Sequence, residues 1–584
     1  MVKANLIEYV VIVAYLAFML ITGVAFRKFI HNFADYFRSG CRGTWWLVGA
    51  SIFMFSFSAW TFTGAAGVAY LSGISVAVIF IANALGYLIN CVWTAPLFRQ
   101  MRAITFPEVI RERFNTSTQQ LYVWLGVVPG IFMAGLTLWG VAVFASAVFG
   151  FNIQAVIFVL GLVVLVYSTI GGSWSVMATD FLQALILMPL AVLVCFLSLK
   201  SIGGFDGLLV EIERQNLPDL LSFVDSRPDS QFTSGWIAAM FVFVILSYNS
   251  LGSALKYFSC KDGREARKAA GLAAGLMLLG SLLWFLPPIV AKLQFSESVE
   301  ALKAQGIKNP AEASYAVISL LLLPKGLAGL IVVAMFSATM SSLDSQLNQF
   351  AAILTQDIYK PFVRPKASHR EMFLVGQLAS LGTGLLIIGA ALYLSLREGQ
   401  GLFDYMMKFG SLLGTPMIVP MFLVLFIRKA PVWSGVISIC CAFGVSFLGW
   451  RGEWSYQASV FSIVAAGTLS FLLTLPFWRA SSTTYQEKVE AFYRKMHTPV
   501  DFEKEVGQAN DESQLRIVGF VSLSIGVFIS LLALLPNPVE GRLQILFVSL
   551  CVIGFGGAML TIAYRRKKRK EGRDGARSPE GVSR

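Results

Sequence analysis

The stretch GASIFMFSFSAWTFTGAAGVAYL, residues 49–71, decides how the rest of the chain is read. It is uncharged and long enough to cross a bilayer core as a helix, which takes about 20 residues. Yet Ser51, Ser56, Ser58, Thr61 and Thr63 interrupt it ahead of the small residues 64–67. Hydroxyls and small side chains at that density would let the helix unwind in mid-membrane, freeing carbonyls to bind a cation. The same composition also suits close helix packing through small residues, and the segment by itself leaves both possibilities open.

Outward from this stretch, apolar runs of similar length recur along all 584 residues. The chain is 56% hydrophobic and 14% charged, against about 25% charged in soluble domains, which excludes a water-soluble globule. Fifteen spans are expected at 6–26, 45–72, 75–98, 119–149, 153–171, 176–199, 235–252, 269–291, 325–354, 372–394, 402–427, 431–449, 457–477, 515–535 and 542–564. They are numbered 1 to 15 below. The fold class is an all-α polytopic membrane protein with about 15 transmembrane helices.

The net charge of +13 does not point to nucleic acid, because the basic residues sit in short loops and in the tail 565–584. Loops after spans 1, 3, 7 and 9 carry Arg38, Arg42, Arg99, Arg102, Arg111, Arg113, Lys256, Lys261, Lys360 and Arg364. That alternation predicts a cytoplasmic-membrane protein with its N-terminus outside and its tail inside. Loop 200–234, with Asp206, Glu211, Asp219 and Asp225, is expected outside. Loop 478–514 has the mixed charges of a solvated amphipathic helix, and the RRKKRK tail (565–570) suits a stop-transfer flank or anionic headgroups. Seven cysteines without C-x-x-C spacing support neither a disulfide framework nor a zinc site. Span 1 lacks an obvious small-residue cleavage site and is expected to be retained.

Catalysis finds no constellation here. The three histidines, His31, His369 and His497, fall in predicted cytoplasmic loops, and no P-loop, G-x-S-x-G or H-E-x-x-H spacing occurs. The chain is therefore read as a non-enzyme, leaving secondary transport, a channel or signalling. Span 9 adds SATMSSLDSQLNQ (337–349), where Ser341, Ser342, Asp344 and Ser345 fall within two helical turns. An ionisable group at that depth faces the bundle interior, a water-filled cavity or a neighbouring helix, and hydroxyl and carboxylate oxygens suit a hard cation such as Na⁺. Asp180 opens span 6 in ATDFLQ (178–183), as an interfacial cap or part of an ion path. Lys408 lies inside span 11 in FDYMMKFGSLLGTP (403–416), either facing the interior or snorkelling outward with Asp404 one turn away.

Together, polar span 2, the TDxxQ-like start of span 6, KDGREARKA (261–269) and the span 9 serine pair followed by TQDIYK (355–360) resemble the sodium:solute symporter family over roughly residues 5–480. The resemblance implies a five-plus-five inverted-repeat core. The expected units are a first span and loop (1–44), a first repeat of spans 2–6 (45–199), an extracellular loop (200–234) and a second repeat of spans 7–11 (235–427). Peripheral spans 12–15 (428–564) and the tail (565–584) follow.

By position, the family's main sodium site would use the carbonyls of Met54, Phe57 and Ala338 with the hydroxyls of Ser341 and Ser342. A second sodium site of some members would map to Asp180, Ser341, Ser342, Ser345 and Asp344, the last being a carboxylate where those members tend to have a hydroxyl. Solute positions would fall at Ser56, Ser58, Trp60, Thr61, Phe80, Asn83, Asn249, Ser250 and Lys408. Phe80 replaces a polar residue of sugar carriers, and Lys408 replaces an uncharged side chain, so an ammonium facing the cavity would favour an organic anion or acidic sugar over a neutral sugar. Leu255-Lys256 stands where Gln-Arg is common, which bears on gating. The expected function is Na⁺-coupled import of a small polar solute by alternating access. The competing classes are a transporter-like receptor, which lacks an output domain, and a passive channel.

Overall fold

The computed structural model describes residues 9–575 apart from 16, 19–20, 22–32, 150, 226, 228–229, 306, 308 and 397–401. Span 1 falls largely outside the described residues. Helices dominate throughout, and the extended pairing among described residues is an isolated bridge between Gly43 and Cys260. Among the described residues, eleven helices are long and apolar enough to cross a membrane, joined by the shorter apolar helices Trp45–Phe55, Ile153–Val166, Ser234–Tyr248 and Pro310–Leu322.

The first helix of each expected repeat is broken. In span 2 the helix Trp45–Phe55 stops and the chain resumes as Ala59–Phe62 and Gly64–Ser72. In span 7 the helix Ser234–Tyr248 gives way to short 3₁₀ turns at Leu251–Ser253 and Tyr257–Ser259. Trp45–Phe55 packs on the span 8 helix Gly263–Leu283, while Ser234–Tyr248 packs on the span 3 helix Ala77–Ile89. These are one contact made twice, first helix of one half on second helix of the other, and the core is a five-plus-five inverted repeat.

Two features add to the expected map. Spans 5 and 6 follow each other without a loop, the helices Ile153–Val166 and Gly172–Ser201 being separated by a sharp break in helical geometry at Gly172, φ +55°. A Cβ there would stand 2.7 Å from the Tyr36 ring, so conformation and space both call for glycine. Between spans 8 and 9, the helix Ser314–Leu322 was not foreseen, because nine residues fall below the length used to recognise a span. It follows the 3₁₀ turn Pro310–Ala313, which packs against the second half of span 2, and Glu312 there accepts a hydrogen bond from Leu402 N at 2.9 Å.

The basic loops gather on one face. Arg99 Nε donates to Cys260 O, Thr44 Oγ1 to Gln514 Oε1 and Lys261 to Asp511. The amphipathic helix Thr483–His497 buries Val489, Phe492, Tyr493 and Met496 against this face. It is clamped by Arg113 Nη1 on Tyr485 Oη at 2.6 Å and by Tyr493 Oη on Val424 O at 2.6 Å. All seven cysteines are free thiols.

Candidate cation and solute site

Where span 2 unwinds, tight turns replace the α-helical ladder. Phe57 N donates to Met54 O and Thr61 N to Ser58 O, and Thr63 leaves helical geometry at φ −117°, ψ −85°. The released carbonyls face span 9, whose helix Leu327–Ile353 is buried along most of its length. Ser342 Oγ lies 3.5 Å from Met54 O, 3.2 Å from Phe55 O, 3.3 Å from Phe57 O and 3.3 Å from Ala338 O. A hydroxyl has one proton to donate, so four carbonyls around it leave acceptor capacity unused. Ser341 Oγ, one position earlier, is buried without a hydrogen-bond partner. A cluster of neutral, hard oxygens with surplus lone pairs fits Na⁺ and offers no thiolate or imidazole to a softer metal.

One turn further along span 9 lies a charged cluster. Asp180 and Asp344 are 0% and 1% exposed. Asp180 Oδ2 accepts from Ser51 Oγ, and Asp344 faces Ser168. Lys256, from the broken end of span 7, donates from Nζ to Ser51 Oγ at 2.8 Å and Ser345 Oγ at 2.7 Å, with Asp180 Oδ2 at 3.6 Å. Asp180 Oδ1 and Asp344 Oδ1 have no hydrogen-bond partner. Asp180, Ser345 and Lys256 thus come together with Ser51. The last two were missed as site residues, although Ser51 stands among the hydroxyls of the deciding stretch and Lys256 in the Leu255-Lys256 pair.

On the other side of the break, Ser56 shares a hydrogen bond with Tyr87, which also donates to Ile52 O at 3.3 Å. Tyr87 packs on Tyr248 at 4.4 Å between centroids. A tyrosine hydroxyl inside an apolar span needs a partner, which is the signal that would have added both. Ser58 Oγ accepts from Trp60 N at 3.3 Å. Trp60 stacks between Phe80 at 6.3 Å and Phe403 at 5.9 Å, and both Trp60 Nε1 and Thr61 Oγ1 are buried without partners. Asn83 is buried on the same helix as Phe80.

Two expected solute positions are otherwise engaged. Asn249 accepts from Asn90 and Thr94, both at 2.7 Å, and donates to Gly86 O and Ile245 O, so it ties broken span 7 to span 3. Ser250 Oγ closes on Ser247 O at 2.9 Å. Lys408 lines a cavity of about 480 Å³ with Asp404, Glu453, Trp450 and Trp454, between span 11 and the hairpin of spans 12 and 13.

Comparison with known proteins follows the same lines. Residues 36–435 match the model of the sodium:solute symporter family. A rat sodium/glucose cotransporter 2 is 27% identical over 469 residues, covering 73% of this chain and 68% of the relative. A Vibrio parahaemolyticus sodium/glucose cotransporter is 26% identical over 432 residues, covering 69% and 77%. The solved structure of a Na⁺-coupled sialic acid symporter superposes with TM-score 0.68 at 23% identity, over 80% of this chain and 98% of that one, and so shares the fold. With two broken helices making the same contact in the two halves of an inverted repeat, and a family match spanning both halves, the chain belongs to the sodium:solute symporter family, a family of carriers and not of enzymes.

Proposed function

We propose that the chain couples inward movement of Na⁺ to import of a small, uncharged polyhydroxy solute across the cytoplasmic membrane. The loop charges support an outside N-terminus and an inside tail. The observation that carries the ion assignment is the Ser342 hydroxyl ringed by carbonyls of Met54, Phe55, Phe57 and Ala338. Met54 and Phe55 close the first helix of span 2, Phe57 lies in the break that follows, and Ala338 belongs to span 9. A Na⁺ held there draws the two elements together and favours whichever conformation brings them close. Because Ser56 and Ser58 stand in that break and Trp60 on the short helix directly after it, that conformation also sets the solute side chains. Ion and solute then raise each other's affinity, as linkage requires.

The solute assignment rests on the side chains beside the break in span 2. Ser56, Ser58, Thr61 and Asn83 are neutral hydrogen-bonding groups, and Trp60, stacked between Phe80 and Phe403, has its Nε1 unpartnered like Thr61 Oγ1. The anionic solute expected from the sequence requires Lys408 to reach these side chains. With that ammonium beside Trp450 and Trp454, an uncharged solute has the better support, and the sodium/glucose cotransporters among the relatives agree with it. The test is uptake of labelled glucose, myo-inositol, proline and lactate into proteoliposomes with an inward Na⁺ gradient or with K⁺ in its place. Uphill, Na⁺-dependent accumulation of a neutral polyol is expected. Accumulation of lactate alone would overturn the solute class, and uptake indifferent to the Na⁺ gradient would overturn the coupling.

A further inference from the structure

The cluster around Asp180 has the composition of a second cation site, two hydroxyls and a carboxylate drawn from spans 2, 6 and 9. Its centre, however, is taken by a side chain. Lys256 Nζ sits 2.8 Å from Ser51 Oγ, 2.7 Å from Ser345 Oγ and 3.6 Å from Asp180 Oδ2, with the Phe55 ring centroid 5.9 Å away. An ammonium has three protons to give and no acceptor, and here it meets three oxygens from three different helices. The Lys256 side chain is 11% exposed, and Asp180 beside it is fully buried. Ser51 both accepts from the ammonium and donates to Asp180, relaying the cation's field to the carboxylate.

Resting on the Na⁺-coupled reading above, we infer that Lys256 is a tethered cation that fills this second position, so that one chain binds a single Na⁺, at the carbonyl cage of Ser342. A side chain on the same polypeptide competes at an effective concentration in the millimolar range or above, and it never dissociates. Free Na⁺ therefore meets a position already supplied with charge. Lys256 belongs to the irregular segment that follows the broken span 7 helix, so its ammonium leaves or enters the cluster only as that segment moves. The cost of parting it from Asp180 links movement of span 7 to the ion path between spans 2 and 9. The energetic consequence is a lower accumulation ratio, since each further Na⁺ carried per cycle would multiply the attainable solute gradient by the Na⁺ gradient.

Removing the ammonium while keeping the volume converts the position into a vacant one. Lys256→Met leaves Asp180 and Asp344 without a resident cation, next to the unpartnered Ser341 Oγ, and a buried carboxylate pair recruits a cation. The probe is ²²Na⁺ alone, in equilibrium binding to purified full-length chain, so no knowledge of the solute is needed. Wild type is expected to bind one Na⁺ per chain with a Hill coefficient of about one. Lys256→Met and Lys256→Gln are expected to bind two, and Asp180→Asn added to Lys256→Met should return the count to one. Ser342→Ala in wild type should weaken the remaining Na⁺ at least tenfold. Two Na⁺ per wild-type chain would overturn the inference even if neither lysine variant folds, and so would a count that stays at one in well-folded Lys256→Met. No Na⁺ binding by wild type would instead bring down the sodium-carrier reading on which the inference rests, so the two failures are told apart by the wild-type count.

Discussion

The two oxygen clusters flanking span 9 sit within one turn of each other and solve opposite problems. Around Ser342 the ligands are neutral carbonyls and hydroxyls with more lone pairs than protons. Around Asp180 the ligands include buried carboxylates, and the chain brings its own ammonium to them. A neutral cage is tolerable in the membrane without an ion, because its groups share one hydroxyl proton and no net charge is buried. Buried carboxylates are not, since an uncompensated charge in a low-dielectric interior is expensive. The difference teaches that ligand type alone does not identify a site for an exchangeable ion: what matters is whether the charge is already balanced from within.

The largest way to break this contrast is Asp180→Asn, which strips the Lys256 ammonium of its nearest carboxylate. Breaking one side of a buried pair costs about 3 kcal/mol or more, so the detergent-purified variant should melt well below wild type. The double variant Asp180→Asn/Lys256→Met should recover most of that loss. Equal melting of single and double variants would mean that the two charges do not balance each other.

Smaller in energy is Ser342→Ala. Loss of one hydroxyl ligand is expected to raise the Na⁺ concentration for half-maximal uptake about tenfold, equivalent to ~1.4 kcal/mol. Unchanged Na⁺ activation would move the exchangeable ion away from the carbonyl cage.

A carboxylate–cation pair in water sharpens the contrast from outside. Arg102 holds Glu505 at 2.6 and 2.7 Å on the docked loop, with the Glu505 side chain 34% exposed. That hydrogen bond keeps the Glu505 carboxyl below its ordinary value of 4.5. Its contribution is therefore complete above that ordinary value and is lost as pH falls through the depressed one. Exposure limits it to ~1 kcal/mol or less. Acidification below about pH 4 should speed proteolysis within 478–514, and Arg102→Gln should remove that contribution to the acid dependence. The smallest effect belongs to Lys408→Ala, expected to leave solute affinity within about twofold, because its cavity is lined by none of Ser56, Ser58, Trp60 or Thr61. A tenfold loss would restore the anionic-solute reading.

Much of the fold was legible because bilayer thickness leaves a coarse signature: apolar runs of fixed length and basic loops at every second turn. The hydroxyls of Ser56, Ser58 and Thr61 marked span 2 as either broken or closely packed, and the fold around it decides for the break. Ser314–Leu322 was not legible, being too short for that signature. Nor was the direction of Lys408, because facing span 2 or facing spans 12 and 13 differs only by a rotation that neighbouring helices decide. The convergence of Lys256 on Asp180 and Ser345 joins it to residues 76 and 89 positions away. A single sequence shows each of these charges as a separate cost and does not show that they cancel.

The most direct test of the central claim is a Na⁺ titration of thermal unfolding, at constant ionic strength with K⁺ making up the balance, for wild type and Ser342→Ala. A ligand that binds only the native state stabilises it by about 2.7 kcal/mol at a hundredfold excess over its dissociation constant. The account predicts saturable stabilisation of wild type by Na⁺ over K⁺, with the curve for Ser342→Ala displaced about tenfold to higher Na⁺. Superimposable curves, or a wild type that melts alike in Na⁺ and K⁺, would contradict it.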